Sequence, residues 1–211
     1  MANCFGVEVD DLKLDEFDRY LDKPKSQEDR AREAMNLISD GNKSIDAEKY
    51  VRDLKDDYGS GVSTLCLVYN ATGDTLYHVV DNDWMNSNIG RTPYPVKIGN
   101  GQWAAFLHVH KTSDATGSEA AVVYRGKNMY GNDRDFLLAW STPFGIWYKN
   151  KAYCEEGGVD TFQRRWDNIY DNINNGDYSK TTDANGIHIQ VDTASGGAPI
   201  FKAIIQIPFG P

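Results

Sequence analysis

Two imidazoles one residue apart, His108-Val109-His110, form the most metal-like pattern in this 211-residue chain. They lie in an apolar stretch, residues 103–110, that reads as a strand, where period-two geometry puts alternate side chains on one face. Such a pair could supply two ligands to Zn²⁺ or another borderline metal. The spacing offers no third or fourth ligand, and paired histidines also occur on solvated sheet faces, so metal binding by His108 and His110 stands as an alternative. Asp81-Asn82-Asp83 and Asn132-Asp133-Arg134-Asp135 resemble fragments of calcium loops without the closing Glu, which favours turns. Gly99-Asn100-Gly101 and Ser195-Gly196-Gly197 lack the strand–helix setting of a phosphate cradle. No Gly-x-Ser-x-Gly elbow occurs, and no cysteine has a recognisable partner motif. The expectation is a protein that is not an enzyme and needs no cofactor.

A different chemistry is written in Ala139-Trp140-Ser141-Thr142-Pro143-Phe144-Gly145-Ile146-Trp147-Tyr148. A strand runs into a Pro-Gly break that carries large aromatics. Trp and Tyr on a loop offer apolar area, a polar tip and little rotamer entropy, which suits lipid head groups, sugar rings or protein partners. The other reading is that Trp147 and Tyr148 open the next strand and pack inward.

Composition narrows the partners. With 31 acidic and 22 basic side chains the net charge is −9, and no cluster of Lys and Arg appears, which argues against nucleic acid. The same charge argues against anionic membranes, though not against a zwitterionic or neutral head group. No apolar run approaches the ~20 residues a membrane-spanning helix needs, and the first residues do not read as a secretory signal. Cys4, Cys66 and Cys154 are odd in number and widely spaced, which fits reduced thiols and a cytoplasmic location. Asn70-Ala71-Thr72 matches a glycosylation sequon, read here as chance.

The elements that would position these residues fall into two regions. Residues 1–60 hold 16 acidic and 10 basic side chains and the helical periodicity. Ser26 begins a capping pattern with Asp29, and Ala31, Ala34, Met35 and Ile38 follow at helical spacing until Asp40-Gly41-Asn42. Ser44 reads as a second N-cap, with Ala47, Tyr50, Val51, Leu54 and Tyr58 on one stripe. Residues 10–22 read as a weaker helix or a wrapped arm. Both amphipathic helices have carboxylate-rich polar faces, unlike membrane-surface helices, so docking on the same protein is expected. After Gly61 the texture turns to β, with strands predicted over 62–69, 75–80, 103–110, 119–125, 136–142, 147–154, 166–172, 186–192 and 200–207. Short strands without intervening helices indicate a mainly β fold, an antiparallel β-sandwich or barrel. The expected organisation is an N-terminal helical extension, 1–60, packed on a β-sandwich domain, 61–211.

Several phrases carry a family resemblance. Leu67-Val68-Tyr69-Asn70-Ala71-Thr72-Gly73, Thr92-Pro93-Tyr94-Pro95, Asn100-Gly101-Gln102-Trp103-Ala104-Ala105-Phe106-Leu107-His108-Val109-His110, Glu119-Ala120-Ala121-Val122-Val123-Tyr124-Arg125 and Trp140-Ser141-Thr142-Pro143 occur in that order. The chain resembles the 23 kDa jasmonate-induced proteins of plants over most of residues 26–145, which implies a soluble, stress-responsive protein. A more distant resemblance links Ala120 to Tyr124 and Phe136 to Phe144 with the central strands of actinoporins, the sphingomyelin-binding cytolysins. It implies an actinoporin-like sandwich in which Ser141, Pro143 and Tyr148, with Trp147 beside them, line a head-group pocket. Trp166 and Tyr170 would then lie on a lipid-facing short helix in place of the predicted strand. Asp171 stands where that family has a second Tyr, which weakens a choline cage. Carboxylate-rich helices replace the pore-forming segment, so pore formation is not implied.

The resulting expectation is a plant stress-responsive binding protein that recognises a lipid head group or glycan through Ser141, Pro143, Trp147, Tyr148, Trp166 and Tyr170. The alternative to it, besides the metal site, is a protein-interaction or structural role for the acidic helices.

Overall fold

A computed structural model describes residues 3–111, 115–145 and 147–209. Two sheets face each other. The first runs β1 (Cys4–Phe5), β6 (Trp103–Val109), β2 (Ser63–Ala71), β12 (Ile200–Gln206), β11 (Ile187–Thr193), β10 (Ser179–Ala184), with β4 (Asn88–Ile89) also pairing with β6. The second runs β5 (Lys97–Ile98), β3 (Leu76–Trp84), β7 (Ser118–Lys127), β8 (Asp133–Thr142), β9 (Lys151–Gly157). All pairings between these strands are antiparallel except β12 with β2. The mainly β, sandwich-type expectation holds.

The apolar runs of β2, β6, β7 and β8 follow from burial on both faces. On β7, Ala120, Val122 and Tyr124 enter the space between the sheets with Phe106, Phe136, Trp140 and Phe201. Ala121 and Val123 point the other way and pack with Leu137, Ala139, Tyr153, Ile169 and Ile173. The outer layer on that side is α4 (Trp166–Asn174), whose Trp166, Ile169 and Ile173 recur at helical spacing. Residues 166–172 are thus a helix, as the actinoporin resemblance implies, and not the strand read from their aromatic and β-branched content.

The outer face of the first sheet is covered by α1 (Asp11–Leu14), α2 (Gln27–Asn36) and α3 (Lys43–Tyr58), which bring Leu14, Ala34, Ala47 and Val51 onto Leu65, Leu67, Tyr69, Trp103 and Leu107. Ser26 and Asp29 form the expected capping box, satisfying N–H groups at the start of α2. Ser44 is not a cap: α3 begins at Lys43 behind Asn42, which is left-handed and makes no side-chain cap bond. Residues 40–42 form a short 3-10 turn leading into α3, while α2 already ends at Asn36. The helices are tied in by buried polar bonds: the Tyr69 hydroxyl donates to the Ala34 carbonyl at 2.5 Å, and Lys43 Nζ donates to the Gly101 carbonyl at 2.8 Å and the Tyr69 oxygen at 3.2 Å. Asn70 is fully buried, with Nδ2 donating to the carbonyls of Asp74 and Ile98, so the sequon is an interior bracket.

Candidate functional site

The strand register builds the site. Trp84 of β3, Glu119 of β7, Ser141 of β8 and Lys151 of β9 are successive cross-strand partners, a row of four across the second sheet. Period two places Glu119 and Ser141 on the face that packs under α4, one step beyond the apolar Ala121 and Ala139. A polar row therefore begins where the helix stops covering the sheet. There the surface opens into a cavity of about 360 Å³. Gly117, Glu119, Ser141, Pro143, Tyr148 and Lys151 are among its lining residues, and Lys149 and Asn174 stand at its side.

Glu119 is 6% exposed and Ser141 2%. The Glu119 backbone is pinned by Ser87, whose Oγ lies 2.7 Å from the Glu119 carbonyl oxygen and accepts from the Glu119 N–H at 3.2 Å. Its carboxylate is less well served. Burial pushes the Glu119 carboxyl above the usual carboxylate range, against the opposing pull of the Tyr170 and Ser141 hydroxyls and the Lys151 charge. Oε2 has no hydrogen-bond donor among the described residues. Lys151, two strands away, turns its ammonium to the Asn174 carbonyl at the end of α4.

The loop beyond β8 carries the exposed aromatics. Phe144 is 54% exposed, Tyr148 68% and Trp147 88%. Neither Trp147 nor Tyr148 packs inward, and β9 starts only at Lys151, later than the predicted 147. Ile146 of this loop lies outside the described residues. A second cavity of about 540 Å³ flanks the other side of the loop, with Trp147, Tyr148, Tyr178 and Gly196 among its lining residues. Ser141, Pro143 and Tyr148 thus share one cavity, and Trp147 belongs to its neighbour. Trp166 and Tyr170 line neither cavity. Trp166 meets Trp84 edge-on at a centroid distance of 6.3 Å and Tyr170 lies tilted against it at 5.2 Å, while the Tyr170 hydroxyl lies near enough to Glu119 to act on its carboxyl.

The histidine pair separates. His108 lies fully buried between the sheets, its Nε2 3.0 Å from Asp83 Oδ1 and its Nδ1 2.9 Å from Ser118 Oγ. His110 lies past the strand, its Nδ1 2.7 Å from the Tyr58 hydroxyl. The expectation of two imidazoles on one face fails because β6 ends between them. Among the described residues no three His, Cys, Asp or Glu side chains cluster as metal ligands. Asp81-Asn82-Asp83, read as a turn, is part of β3. Asp83, His108 and Ser118 have the atom order of a hydrolase triad, but His108 and Ser118 are both 0% exposed, and Ser118 Oγ also donates to the carbonyl of His108 at 3.1 Å. A nucleophile needs contact with its substrate; this trio, extended by Thr64 and Thr142 at 2.9 Å, is an interior polar network.

Sequence reasoning passed over Glu119. One carboxylate among many carries no local signal, and its position emerges only from the register of four strands. The signal that existed was a charged residue leading an otherwise apolar run, Glu119-Ala120-Ala121-Val122-Val123.

The relatives fit this architecture. A 23 kDa jasmonate-induced protein of Hordeum vulgare is 37% identical over 193 residues, covering 89% of this chain and 90% of its own length. A jasmonate-induced protein homolog of Atriplex canescens is 28% identical over 169 residues, covering 78% and 88%. A crystal structure described as that of the lipid binding protein Nakanori superposes with a TM-score of 0.86 at 23% identity, covering 96% of this chain and 98% of its own. The resemblance to jasmonate-induced proteins is borne out, and the sandwich is shared with Nakanori. The family model for Nakanori-like proteins matches residues 5–207, so this chain belongs to the Nakanori-like family.

Proposed function

We propose that this protein is a non-enzymatic lipid-binding protein that docks on zwitterionic membranes through the loop after β8 and takes a head group into the cavity beside it. The observation that carries the reading is Trp147, 88% exposed, next to exposed Phe144 and Tyr148 on the rim of a cavity with a polar floor. Soluble proteins seldom leave contiguous large aromatics in water without a partner, and Trp and Tyr favour the membrane interface. Glu119 and Ser141 at the floor and Lys149 and Lys151 beside them offer both signs of charge, which suits a zwitterion better than an anion. The acidic balance of the chain points the same way. The description of the structural neighbour as lipid binding supports this reading, and the names of the curated relatives support a jasmonate-responsive, stress-related role. Three free cysteines, two of them buried, support a reducing, cytoplasmic setting.

The deciding experiment is vesicle co-sedimentation of the wild type and a Trp147→Ala/Tyr148→Ala variant. The reading expects binding by the wild type, loss in the variant and an unchanged melting temperature. A glycan array in parallel separates lipid from sugar: retention on glycans with no vesicle binding overturns the proposal.

A further inference from the structure

We infer that Glu119 makes the cavity selective for a head group whose cation bears N–H donors, a primary ammonium, over one that is fully N-methylated. This rests on the lipid-binding reading above. Glu119 is only 6% exposed yet lines a cavity, and its buried Oε2 lacks a donor among the described residues. A buried acceptor without a donor is costly, and a charged one more so. The neighbours do not remove that cost. Ser141 and Tyr170 crowd the carboxylate without serving Oε2, and Lys151 is engaged by the Asn174 carbonyl. Gly117 lines the same cavity beside the other carboxylate oxygen: a Cβ there would stand 3.2 Å from Glu119 Oε1 and 2.6 Å from the Thr142 carbonyl, so a side chain at this point would crowd the carboxylate.

An incoming group completes the site if it is cationic and brings its own N–H. A primary ammonium has three donors and forms short, charge-assisted bonds with a carboxylate. A quaternary ammonium has none. It interacts with a carboxylate only as a diffuse charge, and it prefers the faces of electron-rich rings. Tyr170 does offer a ring nearby, but that ring already packs, tilted, against Trp84 at 5.2 Å. The geometry therefore favours hydrogen-bonded over caged recognition. Lys149 at the side of the cavity suits the phosphate that accompanies such an ammonium.

The test is a methylation series. Soluble phosphoethanolamine, its N-monomethyl and N-dimethyl forms, and phosphocholine are titrated into the wild type by calorimetry. Vesicles of phosphatidylcholine alone and of phosphatidylcholine mixed with phosphatidylethanolamine serve as the membrane arm. Affinity should fall along the series, with phosphoethanolamine preferred by about tenfold or more over phosphocholine. Glu119→Gln should lose the preference and bind all four alike. Equal wild-type affinity across the series, or a preference that survives Glu119→Gln, overturns the selectivity and leaves the lipid reading standing. Failure of the wild type to bind either vesicle overturns the lipid reading, and the selectivity with it. The series on the unaltered chain decides the matter even if Glu119→Gln folds poorly.

Discussion

The hydroxyl of Tyr69, in the middle of β2, donates to the carbonyl of Ala34 in α2 at 2.5 Å, and both residues are fully buried. The same oxygen accepts from Lys43 at the start of α3. One phenol thus ties two helices to the first sheet. Tyr69→Phe should lower stability by about 1–3 kcal/mol, because it leaves the Ala34 carbonyl without this donor and removes an acceptor from a buried ammonium. Denaturant unfolding with an unchanged m-value would measure it.

Deleting residues 1–43 should be far more damaging. It strips β1, α1 and α2, and with them Leu14, Ala31 and Ala34, from the apolar faces they cover, leaving only α3 on the outer face of the first sheet. Light scattering of the truncated chain should show aggregation rather than a soluble sandwich.

Gly73 sits at φ 84°, and a Cβ there would stand 2.2 Å from the Gln27 carbonyl oxygen. Arg30 Nε also donates to the Gly73 carbonyl at 2.7 Å. Gly73→Ala should therefore cost about 2 kcal/mol or more, since backbone strain and a clash with α2 add together. Thermal melts of the variant beside the wild type check this.

Removal of both Trp147 and Tyr148 should leave the melting temperature within a degree or so, because exposed rings contribute little to folding. Vesicle binding should fall at least about a hundredfold. A ring burying roughly 150–250 Å² at about 25 cal/mol per Å² is worth on the order of 4 kcal/mol to the bound state. Because apolar insertion is not screened, raising the salt concentration in co-sedimentation assays should change wild-type binding little.

His108 sets a pH dependence. Burial holds its pKa below the ordinary histidine value, against the pull of Asp83 and Asp81. Asp83, Ser118 and the edge of Trp140 are the groups packed against the ring. The unfolded chain then binds the proton first as pH falls, so stability drops on acidification from about pH 6.5 down to the lowered folded value. Below that value the loss is complete. His108→Gln should flatten the wild-type slope of stability against pH in that window, measured by urea melts at successive pH values.

Much of this architecture is legible in the sequence because local chemistry and tertiary environment agree. Ser26 and Asp29 announce the start of α2, and strands buried on both faces appear as apolar runs between Gly and Asn turns. Reading fails where the two disagree. Trp166, Ile169 and Ile173 have helical spacing inside a segment whose residue types favour strands, and packing on Leu137 and Ala139 selects the helix. Ser179–Ala184 has no apolar face to betray β10, which is defined by its pairing with β11. At the site, the aromatic loop is visible in sequence, since Pro143 and Gly145 break the strand beside three large rings. Glu119 is not, because its meaning depends on Trp84, Ser141 and Lys151 arriving beside it from three other strands.

The parallel pairing of β12 with β2 has a consequence for how the chain is made. Leu65 and Ile200 are partners, so the strand at the centre of the first sheet waits for almost the whole chain before one of its edges is filled. Until then a nine-residue strand that is buried along its whole length in the folded protein presents open N–H and C=O groups. Such late closure makes for slow folding and favours protection by chaperones during synthesis. A chain that ended before residue 200 would carry not a smaller sandwich but a first sheet with one edge of β2 left open.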